Sequence, residues 1–332
     1  MTVSNITVPV WHTVRTAGGS FFFIAMANKE FRSIDEQIEL LKDRGMLISD
    51  EQSAAYHLQH ISYYRLKGYW WDMQQDKVNH IFRPGSHLED VISRYYFDKE
   101  LRLILFDAIE TIEISLRTKM IYHLSQRYGG LWYRDSSLFT DQNLHASQLK
   151  ELSEEFLRSG EIFAKDYRRK HYTFSEKGSS TDEQPDAWII FEVATFGTLS
   201  KMYKNLNHQL PQKSIIANEM GLNLHSELSG WLEAISYLRN IIAHHSRIWS
   251  RNMVKRPAQI ANPRMQWLVA PLTEVQQKKP FYVITAMLYL CNAIDPTHTF
   301  KQKLLSLFHQ NPNIPIYKLG FFNHWEQEPI WR

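Results

Sequence analysis

The chain has 332 residues, 44% of them hydrophobic and 22% charged, which excludes a disordered or fibrous protein and fits one large domain or two interlocked ones. A formal net charge of +3 excludes recognition of a polyanion through overall charge, so only a local concentration of base can serve that purpose. The single cysteine, Cys291, excludes an intramolecular disulfide framework and a thiolate zinc cluster, and makes the cytoplasm the expected compartment.

Residues 1–25 show no helical period. The nearby apolar run from Phe21 to Ala27 falls far short of the roughly 18 to 20 residues a membrane span needs, so no membrane role is expected. An ordered pattern begins at Met26, and 1–25 reads as a non-core N-terminal extension. Ser33 and Glu36 form a capping box before Ile34, Ile38 and Leu41, with Gly45 as the stop. A second box, Ser49 with Gln52, opens a helix carrying Ala55, Leu58 and Ile61 up to the aromatic stretch at 62–71. A third, Ser86 with Glu89, precedes the longest helical pattern. Its apolar positions Leu101, Leu105, Ile109, Ile112, Leu116 and Met120 keep the 3.6 period until Gly129 and Gly130, with a break expected near Phe97.

Helical, charge-rich sequence continues over 144–170. The polar tract 173–184, followed by Pro185, reads as a loop and a seam. Further helices are expected at 186–205, 211–220, 226–249, 280–293 and 296–309, the fourth opened by Pro280. Strand signals are nearly absent, so the fold class is all-α. The expected organisation is an N-terminal helical part over 26–172, a polar loop over 173–185, a C-terminal helical part over 186–310 and a tail over 311–332.

The segment 237–252, YLRNIIAHHSRIWSRN, concentrates the chemistry. No acidic residue occurs between Ala234 and Thr273, while Arg239, Arg247, Arg251, Lys255, Arg256 and Arg264 supply fixed positive charge and His244 and His245 titratable groups. On a continuous helix Asn240, His244, Arg247 and Arg251 share one stripe. Arg239 and His244 stand about 140° apart on such a helix, so a shared phosphate requires either that the helix loosen at His244 or that a second subunit complete the site across a twofold axis. The second alternative predicts a homodimer, held by apolar neighbours such as Ile241, Ile248 and Trp249. Histidine exchanges protons near neutral pH, and arginine offers phosphate a planar fork of donors; together they suit metal-free RNA cleavage by the RNA's own 2′-hydroxyl. His245 is the alternative catalytic histidine, and Asn240 is placed to orient the imidazole. Arg247, Arg251, Lys255 and Arg256 are candidate RNA-binding residues. Glu110 and Arg117, at helical spacing with Glu113, are candidate supporting residues, as is Glu192, a lone carboxylate in an apolar stretch expected to meet an arginine of the motif helix. No metal site or cofactor is expected.

RNIIAHH, 239–245, matches the Arg-x4-6-His motif of HEPN ribonucleases. With IDEQIELLKDRGMLI (34–48), ISYYRLKGYW (61–70), FDKELRLILFDAIETIEISLRTKM (97–120), WIIFEVATFGTLSKMY (188–203) and LRNIIAHHSRIWSR (238–251), the chain resembles the Abi-like abortive-infection proteins of the AbiD/AbiF type. The resemblance implies an all-α, HEPN-containing bundle and a toxin or phage-defence role through RNA cleavage, with Arg239, His244 and Asn240 at the motif positions. It also implies control by a cognate small RNA or protein antitoxin. The alternative is an RNA-binding regulatory HEPN module that does not cut.

Overall fold

In the computed structural model, residues 13–16, 19–22, 30–175, 178–180 and 184–332 are described. Helices dominate: thirteen α-helices lie among the described residues, and the fold is an all-α bundle. Strands among them are limited to three short antiparallel hairpins, Thr13–Thr16 with Gly19–Phe22, Gln74–Asp76 with Ile81–Phe82, and Thr173–Ser175 with Gly178–Ser180. The third occupies part of the polar tract. Apart from the first hairpin, the proposed extension over 1–25 lies outside the described residues. No helix among the described residues is long and apolar enough to cross a membrane.

The chain divides into two compact units, 1–92 and 93–332. In the first, α1 (Ile34–Asp43) carries the expected capping box: Ser33 Oγ accepts from the Glu36 amide at 3.2 Å, and the Ser33 amide donates to Glu36 Oε2 at 2.6 Å. α2 (Glu51–Ile61) is capped by Asp50 rather than Ser49, because the Asp50 carboxylate reaches the Ser53 amide at 2.9 Å while the Ser49 amide donates to Glu89. α3 (Tyr63–Trp70) follows as a separate short helix and buries Leu66, Tyr69 and Trp70 in the small core that also holds Ile38, Leu41, Leu58 and Phe82.

The division falls inside α4 (Leu88–Tyr128), whose 41 residues run without the break expected near Phe97. Phe97 is buried on the same apolar stripe as Leu101 and Leu105, and neither proline nor glycine interrupts the helix. The second unit continues with α5 (Gln142–Arg158), α6 (Ile162–His171), α7 (Ala187–Ile190), α8 (Phe196–Asn205), α9 (Pro211–Glu219), α10 (His225–Ala243), α11 (Glu274–Gln277), α12 (Pro280–Ile294) and α13 (Phe300–Gln310). The expected helix at 186–205 is therefore two helices. Thr195 leaves the helical path and caps α8, its amide held by the buried carboxylate of Glu155 at 3.1 Å and its Oγ1 accepting from the Thr198 amide.

α10 packs chiefly on α8, and also on α9 and α12. The α4 stripe from Leu101 to Met120, with Leu199 and Met202 of α8, Trp231 and Ile235 of α10 and nearly all of α12, forms the core. Cys291 is buried in α12, and burial pushes its thiol up to about 12. Residues 311–332, set apart as a tail by sequence, are packed: Phe321, Trp325 and Trp331 are buried with Phe281 and Phe308 at ring separations of 4.7 to 6.1 Å.

Candidate functional site

α10 is apolar on most of its circumference, burying Leu228, Trp231, Leu232, Ile235, Leu238, Ile241 and Ile242. It therefore fixes its polar residues closely. Arg239 is half-buried, and Asn240, His244 and His245 are exposed. The helix stops at Ala243, six residues before the expected end. His244 is its C-cap, and His245 adopts a left-handed backbone with φ 52°. The Ser246 amide donates to the Ile241 carbonyl at 2.9 Å and the His245 amide to that of Ile242 at 2.8 Å, the hydrogen-bond pattern of a Schellman ending.

This ending corrects two expectations. Arg247 and Arg251 do not extend the Asn240–His244 stripe, because no helix carries them; instead Arg251 Nε donates to the Arg247 carbonyl at 2.6 Å in an irregular segment. The joining of Asn240 to His244 is through the backbone, His244 amide to Asn240 carbonyl at 3.1 Å, with no side-chain hydrogen bond between the two among the described residues.

The segment after the turn is held by a residue that sequence reading passed over. Asp98 of α4 is fully buried; its carboxylate pairs with Arg102 and accepts from the amides of Ile248 at 3.1 Å and Trp249 at 2.7 Å. Ile248 and Trp249 are themselves fully buried and Ile241 is 7% exposed, so these three residues are core and cannot form the apolar contact of a dimer. The sequence signal was an acid and an arginine four apart, interleaved with Phe97, Leu101 and Leu105 on an apolar helical face.

Arg239 is electrostatically coupled to Glu113 of α4, and Glu113 accepts from Arg117 Nη2 at 2.9 Å. Burial raises the Glu113 carboxyl above its ordinary value; the positive charges of Arg117 and Arg239 act against that, and Glu110 adds to it. Arg117 Nη2 also donates to the Ala194 carbonyl at 3.0 Å, tying α4 to the break before α8. The Nε groups of both Arg117 and Arg239 are buried without a hydrogen-bond partner among the described residues. Glu113 is thus paired with one guanidinium and influenced by the charge of a second, and each of the two keeps a buried Nε without a partner among the described residues.

Of the other candidates, Glu110 is exposed. Glu192 is exposed on the turn Phe191–Val193 and meets no arginine of α10 among the described residues; it stands at a shallow surface cavity with Glu155 and Arg158. The buried carboxylate of that region is Glu155. The basic field is also partly neutralised. Lys255 pairs with Glu233 at 2.5 Å and Arg256 with Glu274 at 3.5 Å, the two carboxylates that flank the acid-free stretch in sequence. In the aromatic stretch at 62–71, Tyr69 and Trp70 are core residues, whereas Tyr64 and Trp71 are exposed.

A family model described as Abi-like protein matches residues 56–250, more than half of the chain. No curated protein and no solved structure matches it.

Proposed function

Because the chain belongs to the Abi-like protein family, which points to a part in abortive infection, we propose that it is a metal-independent endoribonuclease of the HEPN type, acting in the cytoplasm as a toxin-like effector of phage defence. The observation that supports this reading most is that two guanidiniums, Arg117 by an ion pair and Arg239 through its charge, act on Glu113 and keep buried Nε donors without partners among the described residues, with Arg239 on the helix whose C-cap is the exposed His244. In the reaction His244 accepts the proton of the 2′-hydroxyl as that oxygen attacks phosphorus. The phosphorus–5′-oxygen bond breaks, and the departing oxygen takes up a proton from water, while His244 returns its proton to solvent. Arg239 stabilises the charge growing on the phosphoryl oxygens, and Arg117 with Glu113 positions Arg239. The products are a 2′,3′-cyclic phosphate and a 5′-hydroxyl; no cofactor takes part. Asn240 lies one turn before His244 and lines the approach. The active form is assigned as a homodimer, and its restraint to a cognate small RNA or protein antitoxin.

The test is cleavage of a single-stranded RNA in EDTA by wild type, Arg239→Ala, His244→Ala and a mixture of the two variants. Wild type is expected to cut with cyclic phosphate ends and each variant to lose at least about 100-fold in rate. Recovery of part of the activity in the mixture is expected if arginine and histidine come from opposite subunits. RNA bound but left intact by wild type would favour the non-cleaving regulatory module instead.

A further inference from the structure

A cavity of about 650 Å³ lies among α8, α9 and α10 in the second unit, within the size range of small-ligand sites. Its lining includes Lys201 and Lys204 of α8, Lys213 of α9, Tyr237 and Asn240 of α10, and Lys255. Leu144 and Tyr237 give it an apolar side. Asn240 belongs both to this cavity and to the face of α10 that ends in His244, one helical turn or about 6 Å further along.

The charge in the cavity is not balanced. Lys201 pairs with Glu151 at 3.0 Å, whereas Lys204 and Lys255 share a single carboxylate, Glu233, at 2.7 and 2.5 Å. Lys213 is buried with no carboxylate partner among the described residues; its Nζ donates to the carbonyls of Lys204 at 2.9 Å and Leu206 at 2.5 Å. Burial pushes the Lys213 ammonium down to about 8, and its charge, with that of His208, adds to the burial that lowers His225. Pairs between half-exposed lysines and a shared glutamate are weak, so a phosphate can draw both lysines from it.

We propose that this cavity is a subsite for the RNA strand, seating a nucleotide next to the cleaved phosphate with its phosphate on Lys204 and Lys255 and its base against Tyr237 and Leu144. This rests on the ribonuclease reading. RNA fits better than a free anion because the site combines point charges for phosphate with an aromatic face for a base, and because Asn240 connects it to the motif. The subsite touches no reacting atom, so it governs binding rather than the chemical step.

The experiment uses the full chain with Lys204→Ala/Lys255→Ala, both on their own and combined with His244→Ala. For a single-stranded RNA of about a dozen nucleotides, KM is expected to rise about tenfold with kcat within about twofold, while a dinucleoside monophosphate, whose only phosphate is the one cleaved and which has none to place on Lys204 and Lys255, is cut as by wild type. In the His244→Ala background, RNA affinity is expected to fall about tenfold. The slope of log affinity against log salt flattens by about 0.7, the value for the one phosphate that the lysines no longer neutralise. An unchanged KM for the longer RNA, with cleavage still dependent on His244, overturns the subsite and leaves the ribonuclease reading intact. Lysine-dependent RNA binding without cleavage by wild type sinks the ribonuclease reading and keeps the subsite. No RNA binding at all overturns both.

Discussion

The ends of α1 and α10 close with the same hydrogen bonds and different residues. At α1 the Met46 amide reaches the Leu41 carbonyl at 3.0 Å and the Gly45 amide that of Lys42 at 2.8 Å, with Gly45 left-handed at φ 87°. Met46 and Leu41 are both buried, the apolar contact that commonly accompanies such an ending. At α10 the left-handed position is His245 and the residue after it is Ser246, half-buried and polar. α10 therefore lacks the glycine and the apolar contact that stabilise its counterpart, and it presents two exposed imidazoles where α1 presents Arg44 and Gly45. A side chain in the left-handed region costs about 1 to 2 kcal/mol. The helix end with the less favourable residues is the one that carries His244 of the proposed site, and if that proposal holds, local stability is given up there for a functional geometry.

What compensates α10 is Asp98, and removing it is the strongest way to break the comparison. At α1 the chain beyond the turn is tied by backbone bonds, Leu47 amide to Ser86 carbonyl at 2.8 Å and Leu88 amide to Leu47 carbonyl at 2.9 Å. At α10 the tie is a buried charge. Asp98→Ala leaves the amides of Ile248 and Trp249 without their acceptor and Arg102 without its carboxylate. A loss of roughly 3 to 5 kcal/mol is expected, read as a lower urea midpoint at unchanged slope. A loss below about 1 kcal/mol would mean that the segment after His244 does not depend on α4. Gly45→Ala, the next largest, sharpens the other side. A Cβ at Gly45 would meet only the Phe82 carbonyl oxygen, at an ordinary 3.6 Å, so the expected loss of about 1 to 2 kcal/mol is backbone strain alone. Equal stability of Gly45→Ala and wild type by urea unfolding would remove that cost from the argument.

The same two endings explain what was legible in the sequence. Gly45 announces its stop, and α1 begins at the expected box and ends beside Gly45. No glycine marks 244–246, so the apolar pattern through Ile248 and Trp249 carried the expected helix to 249; those residues are buried by the segment folding back onto α4, which periodicity cannot distinguish from helix continuation. The long α4 stripe and Pro280 at the start of α12 were readable because burial and local preference agree there. The motif residues Arg239 and His244 were readable as a spacing, and their helix end was not. Asp98 and the link from Glu113 to Arg239 join α4 to a helix far along the chain, and no single-sequence pattern encodes such a pairing. The pairing of Lys255 and Arg256 with Glu233 and Glu274 was hidden for a related reason: an acid-free stretch in sequence is not an acid-free surface when both flanking carboxylates fold back beside it.

The smallest expected effect is the most discriminating. His245→Gly gives α10 the residue that α1 already has. It relieves the left-handed strain, roughly 1 to 2 kcal/mol for a side chain, with histidine among the types that tolerate this region better. It also adds unfolded-state freedom worth about 0.5 to 1 kcal/mol. These terms oppose each other, and the expected result is a gain between zero and about 1 kcal/mol in urea unfolding. A loss larger than about 1 kcal/mol would show that the His245 side chain itself holds the turn, and the two endings would then differ in design rather than only in residue choice. Activity divides the histidines in the same experiment. If His244 is the proton acceptor, His245→Gly keeps cleavage within a few-fold of wild type because the hydrogen bonds that close the helix are backbone bonds and glycine preserves them. If cleavage falls as far as in His244→Ala while the fold is as stable as wild type, His245 is the motif histidine. The left-handed backbone is then what aims it, and the strain at that position serves catalysis.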